Sequence, residues 1–337
     1  MAPARRILAM RFSSIGDIVL ATSPLETIRR AFPDGHITFL TLDAFMPLLE
    51  YHPHIDALIP LRKTSSIRYH WQVGEYLNKN NYDLVFDLHN SLRSWLVGLP
   101  LDQGILRLEK PRWKRWQLFH LHHNEFPEGF DTRLMYHQHL GEIWREGDPL
   151  PETTLVVTDQ EKNNARRRAE HAGITNDYAV MVPGAAWGRK QWSPKKYARL
   201  AKTLKETRKL DTILLGSKKD RICFEIEKEV PAALNLAGET DLRQALAILA
   251  NARRVVGSDT GLVHAAEALD VPVSMILGPT STETGAGTIL PYSRNIATAD
   301  LWCRPCSQNG KRPCYRSSQV CMDSITVDQV YHTFAVG

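Results

Sequence analysis

The sequence predicts an α/β protein made of two Rossmann-like domains, each a parallel sheet wrapped by helices. Three observations predict it. Short apolar runs alternate with amphipathic helical stretches in both halves, the alternation breaks at a Pro- and Gly-punctuated stretch near the middle, and the chain of 337 residues is about twice a modal domain of ~150. Strands that alternate with helices pair in parallel, because the crossover helix carries the chain back to the same end of the sheet.

In chain order, RILAMRF (6–12) reads as a short buried strand, followed by the turn SSIGD and the helical stretch IVLATSPLETIRRAF. ITFLTL (37–42), the helix-like DAFMPLLEY, ALIPL (57–61), a helical segment around 72–78 and DLVFDLH (83–89) continue the pattern. Residues 109–150 are less regular, rich in His, Trp and Arg, with FPEGF and EGDPLPE near their ends. The boundary is placed within 149–154, giving an N-terminal domain over 1–152.

The alternation restarts with QEKNNARRRAEHAG, YAVMVPG (178–184), SPKKYARLAKTLKETRK, DTILLG (211–216), a helix around 224–230 and ALNLAG (233–238). LRQALAILANA, RVVGS, LVHAAEALD and PVSMILG complete a C-terminal domain over 153–324, and a last helix over 325–337 is expected to pack back toward the N-terminal domain. Ser193-Pro194 places a cap residue before proline at the first helical position. Two such halves imply sheets facing across a cleft, with ligands beyond the carboxyl ends of the strands.

Composition narrows the function. Hydrophobic residues at 43% and charged residues at 23% exclude collagen-like, disordered and disulfide-scaffold chains. A net charge of +5 favours anionic ligands or surfaces and is too small to indicate nucleic acid as a partner. No run of about 18 apolar residues occurs, so any membrane contact is peripheral. Arg11 and Asp17 interrupt the only stretch resembling an export signal, which makes the cytoplasm the expected compartment.

Three segments are able to carry chemistry. VVGSDTGLVHAAEAL (255–269) runs from a β-branched strand through a glycine turn into an alanine-rich helix. The amides of Gly261 and Leu262 and the helix dipole there suit a phosphate, with Thr260 and His264 as further donors; ordinary capping by Asp259 or Thr260 is an equal alternative. In MVPGAAWGRKQWSP (181–194), Gly184 allows close ligand approach and Lys190 could stabilise charge on a leaving diphosphate; a solvated basic loop anchored by Trp192 is the plainer alternative. In SSIGD (13–17), Asp17 could act as a general base, although acidic residues are favoured in first helical turns whatever their function. P-loop and dinucleotide fingerprints are absent.

Together with LLGSKKDR, LNLAGETDL and SMILGPT, these segments resemble the ADP-heptose:lipopolysaccharide heptosyltransferases, inverting glycosyltransferases of the two-domain GT-B fold, over most of the chain. The resemblance implies that Asp17 is the catalytic base, that Lys190 contacts the donor phosphates, and that Asp259, Thr260, Gly261, Leu262 and His264 bind the nucleotide-sugar ADP-heptose. Asp259 would repel a diphosphate, so it is assigned to donor-sugar hydroxyls. Lysine and backbone dipoles meet the leaving-group charge, so no catalytic metal or other cofactor is expected. Ala185 and Ala186 depart from the hydroxyl residues of some members.

The implied acceptor is the anionic inner core of lipid A, either Kdo-lipid A or its heptosylated form, at the cytoplasmic face of the inner membrane. Arg62, Lys63, Arg68 and Arg93 are its candidate contacts. The run KPRWKRW (110–116) is the best candidate for peripheral membrane contact, unless its tryptophans pack inward. Cys303, Cys306, Cys314 and Cys321 have a spacing able to close a structural zinc site, with unliganded thiols an equal alternative. Rival functions are a nucleotide-sugar isomerase or epimerase of the same architecture, a transferase using another nucleotide-sugar, and a non-catalytic nucleotide-binding protein.

Overall fold

A computed structural model of the chain describes residues 5–285 and 287–335. They form two compact units, one taking in the chain up to Pro111 together with Asp131–Val156, the other Arg112–Phe130 together with the chain from Val157 onward. Each unit holds one parallel sheet, as the alternation predicts.

In the first unit, β1 (Arg6–Met10) leads into α1 (Ile15–Leu20) and α2 (Ser23–Ala31), followed by β2 (His36–Leu42), α3 (Met46–Leu49) and β3 (Ala57–Leu61). Next come α4 (Ile67–Asn78), β4 (Leu84–Asp87), α5 (Leu92–Gly98) and β5 (Ile105–Arg107). The chain then gives α6 (Arg112–Leu121) to the second unit and returns with α7 (Thr132–His137). The strand order is β3-β2-β1-β4-β5. β1 is central, and Ile7 through Met10 are fully buried, because a strand covered on both faces must be apolar throughout. The order reverses at β1, so the crevice of this sheet opens where the chain leaves β1 and β4.

The second unit runs through α8 (Asp159–His171), β6 (Tyr178–Val182), α9 (Pro194–Arg208), β7 (Asp211–Leu214), α10 (Arg221–Glu229) and β8 (Leu234–Asn235). It continues through α11 (Leu242–Ala250), β9 (Arg254–Ser258), α12 (Gly261–Ala268), β10 (Val273–Leu277), β11 (Arg294–Ala297), α13 (Val320–Asp323) and α14 (Val327–His332). The order is β11-β10-β9-β6-β7-β8, and here the reversal falls between β6 and β9. Those two strands deliver the loops holding Lys190 and Asp259.

The chain divides less simply than one cut would give. A single boundary at 149–154 leaves residues 112–130 in the first domain, whereas they belong to the second unit. A long-range tie helps to hold them there: the Arg312 guanidinium donates to the Phe119 carbonyl at 2.8 Å. The terminal helix is built on the second unit's own core. Val327, Val330 and Phe334 form an apolar stripe at helical spacing that buries in the cluster containing Tyr197, Leu200 and Leu204 of α9. The indole of Trp192 ties the preceding turn down by donating to the Ile325 carbonyl at 3.1 Å.

Candidate active site

At the crevice of the first sheet, α1 begins with a reciprocal cap. Asp17 Oδ2 accepts the Ser14 amide at 3.1 Å and the Ser14 hydroxyl at 2.9 Å. Its other oxygen meets the Arg11 guanidinium at 2.9 Å. Arg11 is itself buried, held by the Leu88 and Ser13 carbonyls at 2.7 and 3.0 Å and facing the Tyr136 ring. Burial opposes ionisation of Asp17, but the Arg11 charge and the Ser14 hydrogen bonds outweigh it and hold the carboxyl below the usual carboxylate range. Asp17 therefore caps its helix, and with 43% of its side-chain surface exposed it remains reachable from solvent.

The loop after β4 completes that crevice. Asp87 is fully buried, and its Oδ1 accepts the amides of His89 and Asn90 at 3.0 and 2.8 Å. His89 packs on Phe12 with ring centroids 5.1 Å apart, and its buried Nδ1 has no partner among the described residues. Burial, then the charges of Arg11, Lys110 and Arg93, push the imidazole down to about 3, so it is neutral at physiological pH.

The second crevice is built around a buried ion triad. Lys190 Nζ meets Asp259 Oδ2 at 2.7 Å, and His264 Nε2 meets Asp259 Oδ1 at 3.1 Å. All three side chains are at least 85% covered. Burial disfavours the charged forms, yet the pairing prevails: the Asp259 carboxyl is driven far below its usual range and the His264 imidazole is raised. Lys190 is fixed along its length as well. Its carbonyl accepts the Ser258 hydroxyl, and its alkyl stem lies so close to Gly310 that an added Cβ there would stand 2.7 Å from Lys190 Cγ.

Above this triad α12 begins without a cap. Thr260 occupies the N-cap position but its side chain caps nothing, and its buried Oγ1 has no partner. Among the described residues no group accepts from the amides of Gly261 or Leu262. A buried orphan hydroxyl beside two open helix-start amides is a set of donors waiting for an acceptor, the chemistry of an anion site.

Asp259, expected to face sugar hydroxyls, is held within the protein by Lys190 on Oδ2 and His264 on Oδ1. The Lys190 charge on Oδ2 offsets the repulsion a diphosphate would otherwise meet. Gly184 also has a packing reason to be glycine: an added Cβ would stand 2.4 Å from the Asp220 carboxyl carbon. Arg62, Lys63 and Arg68 lie together on the exposed segment before and at the start of α4, and Arg93 begins α5. None of these four pairs with a carboxylate among the described residues, though Arg62 stacks on the Tyr69 ring at 4.6 Å.

The four clustered cysteines are free thiols. Burial, then the neighbouring thiols, push Cys306 up to about 11. Among the described residues no three His, Cys, Asp or Glu side chains stand together as a metal-holding group. Cys314 instead points at the Ser318 carbonyl, and Arg316 Nε lies 3.4 Å from Cys303 Sγ.

Sequence reasoning missed Arg11, Tyr136 and His89 in the first unit, and Thr280 and Ser281 in the second. The last two follow β10, and their buried hydroxyls have no partner among the described residues. One signal was available: Arg11 and Asp87 are charged residues ending runs that otherwise read as fully buried strands.

Comparison with known proteins agrees with this geometry. The sequence matches glycosyltransferase family 9 (heptosyltransferase) over residues 70–316. It is 29% identical to lipooligosaccharide heptosyltransferase 2 of Haemophilus ducreyi, covering 82% of this chain and 84% of the relative. It is 27% identical to lipopolysaccharide heptosyltransferase 1 of Pseudomonas aeruginosa, covering 89% and 86%. The solved E. coli ADP-heptose lps heptosyltransferase II superposes with a TM-score of 0.74 at 24% identity, over 98% of this chain and 97% of that one, which places both units within the GT-B fold. A model match across most of the chain, two unpaired helix-start amides and a positioned lysine lead to one conclusion: the chain belongs to glycosyltransferase family 9, the heptosyltransferases, and is a glycosyltransferase.

Proposed function

We propose that this enzyme transfers heptose from ADP-heptose to the inner core of lipopolysaccharide, on Kdo-lipid A or heptosyl-Kdo-lipid A, with inversion at the anomeric carbon. One observation carries the reading: the buried Lys190–Asp259–His264 triad beneath the open amides of Gly261 and Leu262 and the orphan Thr260 hydroxyl. This is a preorganised receptor for a departing diphosphate. Relatives named lipopolysaccharide heptosyltransferase, and a similar fold named for ADP-heptose, support donor and acceptor.

In the proposed reaction an acceptor hydroxyl attacks the anomeric carbon, the bond from that carbon to the diphosphate oxygen breaks, and ADP leaves with the electron pair. The hydroxyl proton passes to Asp17. Because Arg11 and Ser14 keep Asp17 strongly acidic, it is ionised throughout the physiological range but is a weak base. Proton transfer is therefore late, once the attacking oxygen carries positive charge, which suits an oxocarbenium-like transition state. The leaving-group charge is met by Lys190 and the α12 amides, in the role a divalent cation plays elsewhere, so chelators leave turnover unchanged. Arg62, Lys63, Arg68 and Arg93 receive the anionic acceptor, and the reaction takes place at the cytoplasmic face of the inner membrane.

The test is incubation with a panel of nucleotide-sugars and truncated lipid A acceptors, read by mass spectrometry. A heptose mass gain on the acceptor with ADP-heptose alone is expected. Gain from another nucleotide-sugar reassigns the donor, and conversion of a nucleotide-sugar without any acceptor would show an isomerase instead.

A further inference from the structure

We infer that α6 and the loop over 301–319 together form the surface by which this protein docks on an anionic lipid bilayer. The inference deepens the proposed function, resting on its lipid-anchored acceptor for a bilayer as the natural neighbour, but its grounds are separate ones. Residues 112–124 and 301–322 contain seven Lys and Arg and no Asp or Glu. The whole chain is only +5, so everything else carries a net charge of −2. The cationic excess is thus concentrated in two segments nearly 200 positions apart.

The fold joins them within the second unit. Arg312 donates to the Phe119 carbonyl at 2.8 Å and meets the His120 ring, while His122 makes edge contacts with both Trp302 and Tyr315, centroids 6.2 and 6.3 Å apart. On the joined surface the large apolar groups face outward. Trp113 and Trp302 are 65% and 64% exposed, and Trp116, Leu121 and Tyr315 are exposed beside them. The alternative in which the KPRWKRW tryptophans pack inward does not hold for Trp113 and Trp116, because Leu118 and Phe119 are the residues by which α6 buries itself.

Exposed tryptophans among cations fit a bilayer boundary, where indoles sit at headgroup level and Lys and Arg attract anionic lipid. A single-stranded nucleic acid would instead need aromatic faces open for bases. Trp113 and Trp116 stack on each other, centroids 4.9 Å apart and 8° from parallel, and the Arg316 guanidinium lies over Trp302 at 5.6 Å.

Sedimentation of the full chain with vesicles of phosphatidylcholine, alone or mixed with phosphatidylglycerol, in the absence of donor and acceptor, tests the surface. Binding is expected only to the phosphatidylglycerol vesicles, weakening as salt is raised. Trp113→Ser with Trp116→Ser should weaken it about tenfold, and Lys114→Ala about fivefold. Trp302→Ser, on the other segment, should weaken it as well. All these positions are exposed, and circular dichroism confirms folding. Equal binding to both vesicle types, no binding, variants that bind like wild type, or tighter binding to a single-stranded oligonucleotide than to vesicles would overturn the inference. Failure of heptose transfer leaves the vesicle result intact, and turnover on a soluble truncated acceptor should be unchanged in every variant, so the two readings fail separately.

Discussion

Each unit places an aspartate just beyond the strand where its sheet order reverses, and each neutralises that aspartate with a cation from the same unit. Asp17 pairs with Arg11 and keeps 43% of its side-chain surface exposed; Asp259 pairs with Lys190 and His264 and keeps 14%. The same topological position thus yields two different instruments. In the first unit the cation is the buried partner and the carboxylate is presented outward. In the second all three members are buried, Lys190 and His264 as deeply as Asp259, and the carboxylate ties the lysine and the imidazole together. The two sites differ in burial rather than in residue type: one exposes a carboxylate, the other encloses its whole triad.

The largest test of that contrast is removal of each carboxylate. Asp17→Asn should lower kcat by about 10²–10⁴ while donor binding stays close to wild type and stability falls by only about 1–2 kcal/mol, since it loses a base, an exposed cap and one partner of Arg11, which the Leu88 and Ser13 carbonyls still hold. Asp259→Asn should instead destabilise the fold by about 3–5 kcal/mol, because Lys190 and His264 are left as unpaired buried groups. Adding Lys190→Met to Asp259→Asn should recover much of that stability without recovering activity, measured by thermal melts and steady-state kinetics on the same preparations. Equal effects of the two asparagine substitutions on melting would remove the distinction between the sites.

A medium effect concerns pH. Asp17 has a folded pKa below its unfolded value of about 3.9, so its charge is present above that value and is lost only as pH falls through the lower folded pKa. The acid limb of kcat/KM should accordingly lie below the ordinary carboxylate range. Arg11→Met removes the nearest positive charge and should move that limb upward; a limb that does not move would show that Arg11 does not set the acidity of Asp17.

The smallest effect separates packing from ligand approach at Gly184. With the Asp220 carboxyl where a Cβ would stand, Gly184→Ala should cost about 1–3 kcal/mol of stability, and Asp220→Ala should relieve most of it. A glycine kept only for a ligand would lose donor affinity with no such rescue.

Much of this was legible in the chain. The central strands announce themselves because both faces are covered, and the helix start at Gly261 because glycine and small residues follow a β-branched strand. The role of Asp259 was not legible, since its partner Lys190 lies 69 positions away on a loop that only the pairing of β6 with β9 brings near. Arg11 was overlooked because its position inside an apolar run resembles a strand end, and its meaning depends on the Leu88 carbonyl at 2.7 Å.

Local periodicity and turn chemistry by themselves determined two α/β halves, their strand order of appearance, and which loops carry polar groups able to meet a nucleotide-sugar. These are properties of neighbouring residues, and they survive in a linear reading. Tertiary structure decided which charges are paired, which aspartate is left reachable, that α6 belongs to the second unit, and that two distant basic segments share one aromatic surface. Those outcomes depend on desolvation and on contacts between residues far apart in sequence, which no window along the chain contains.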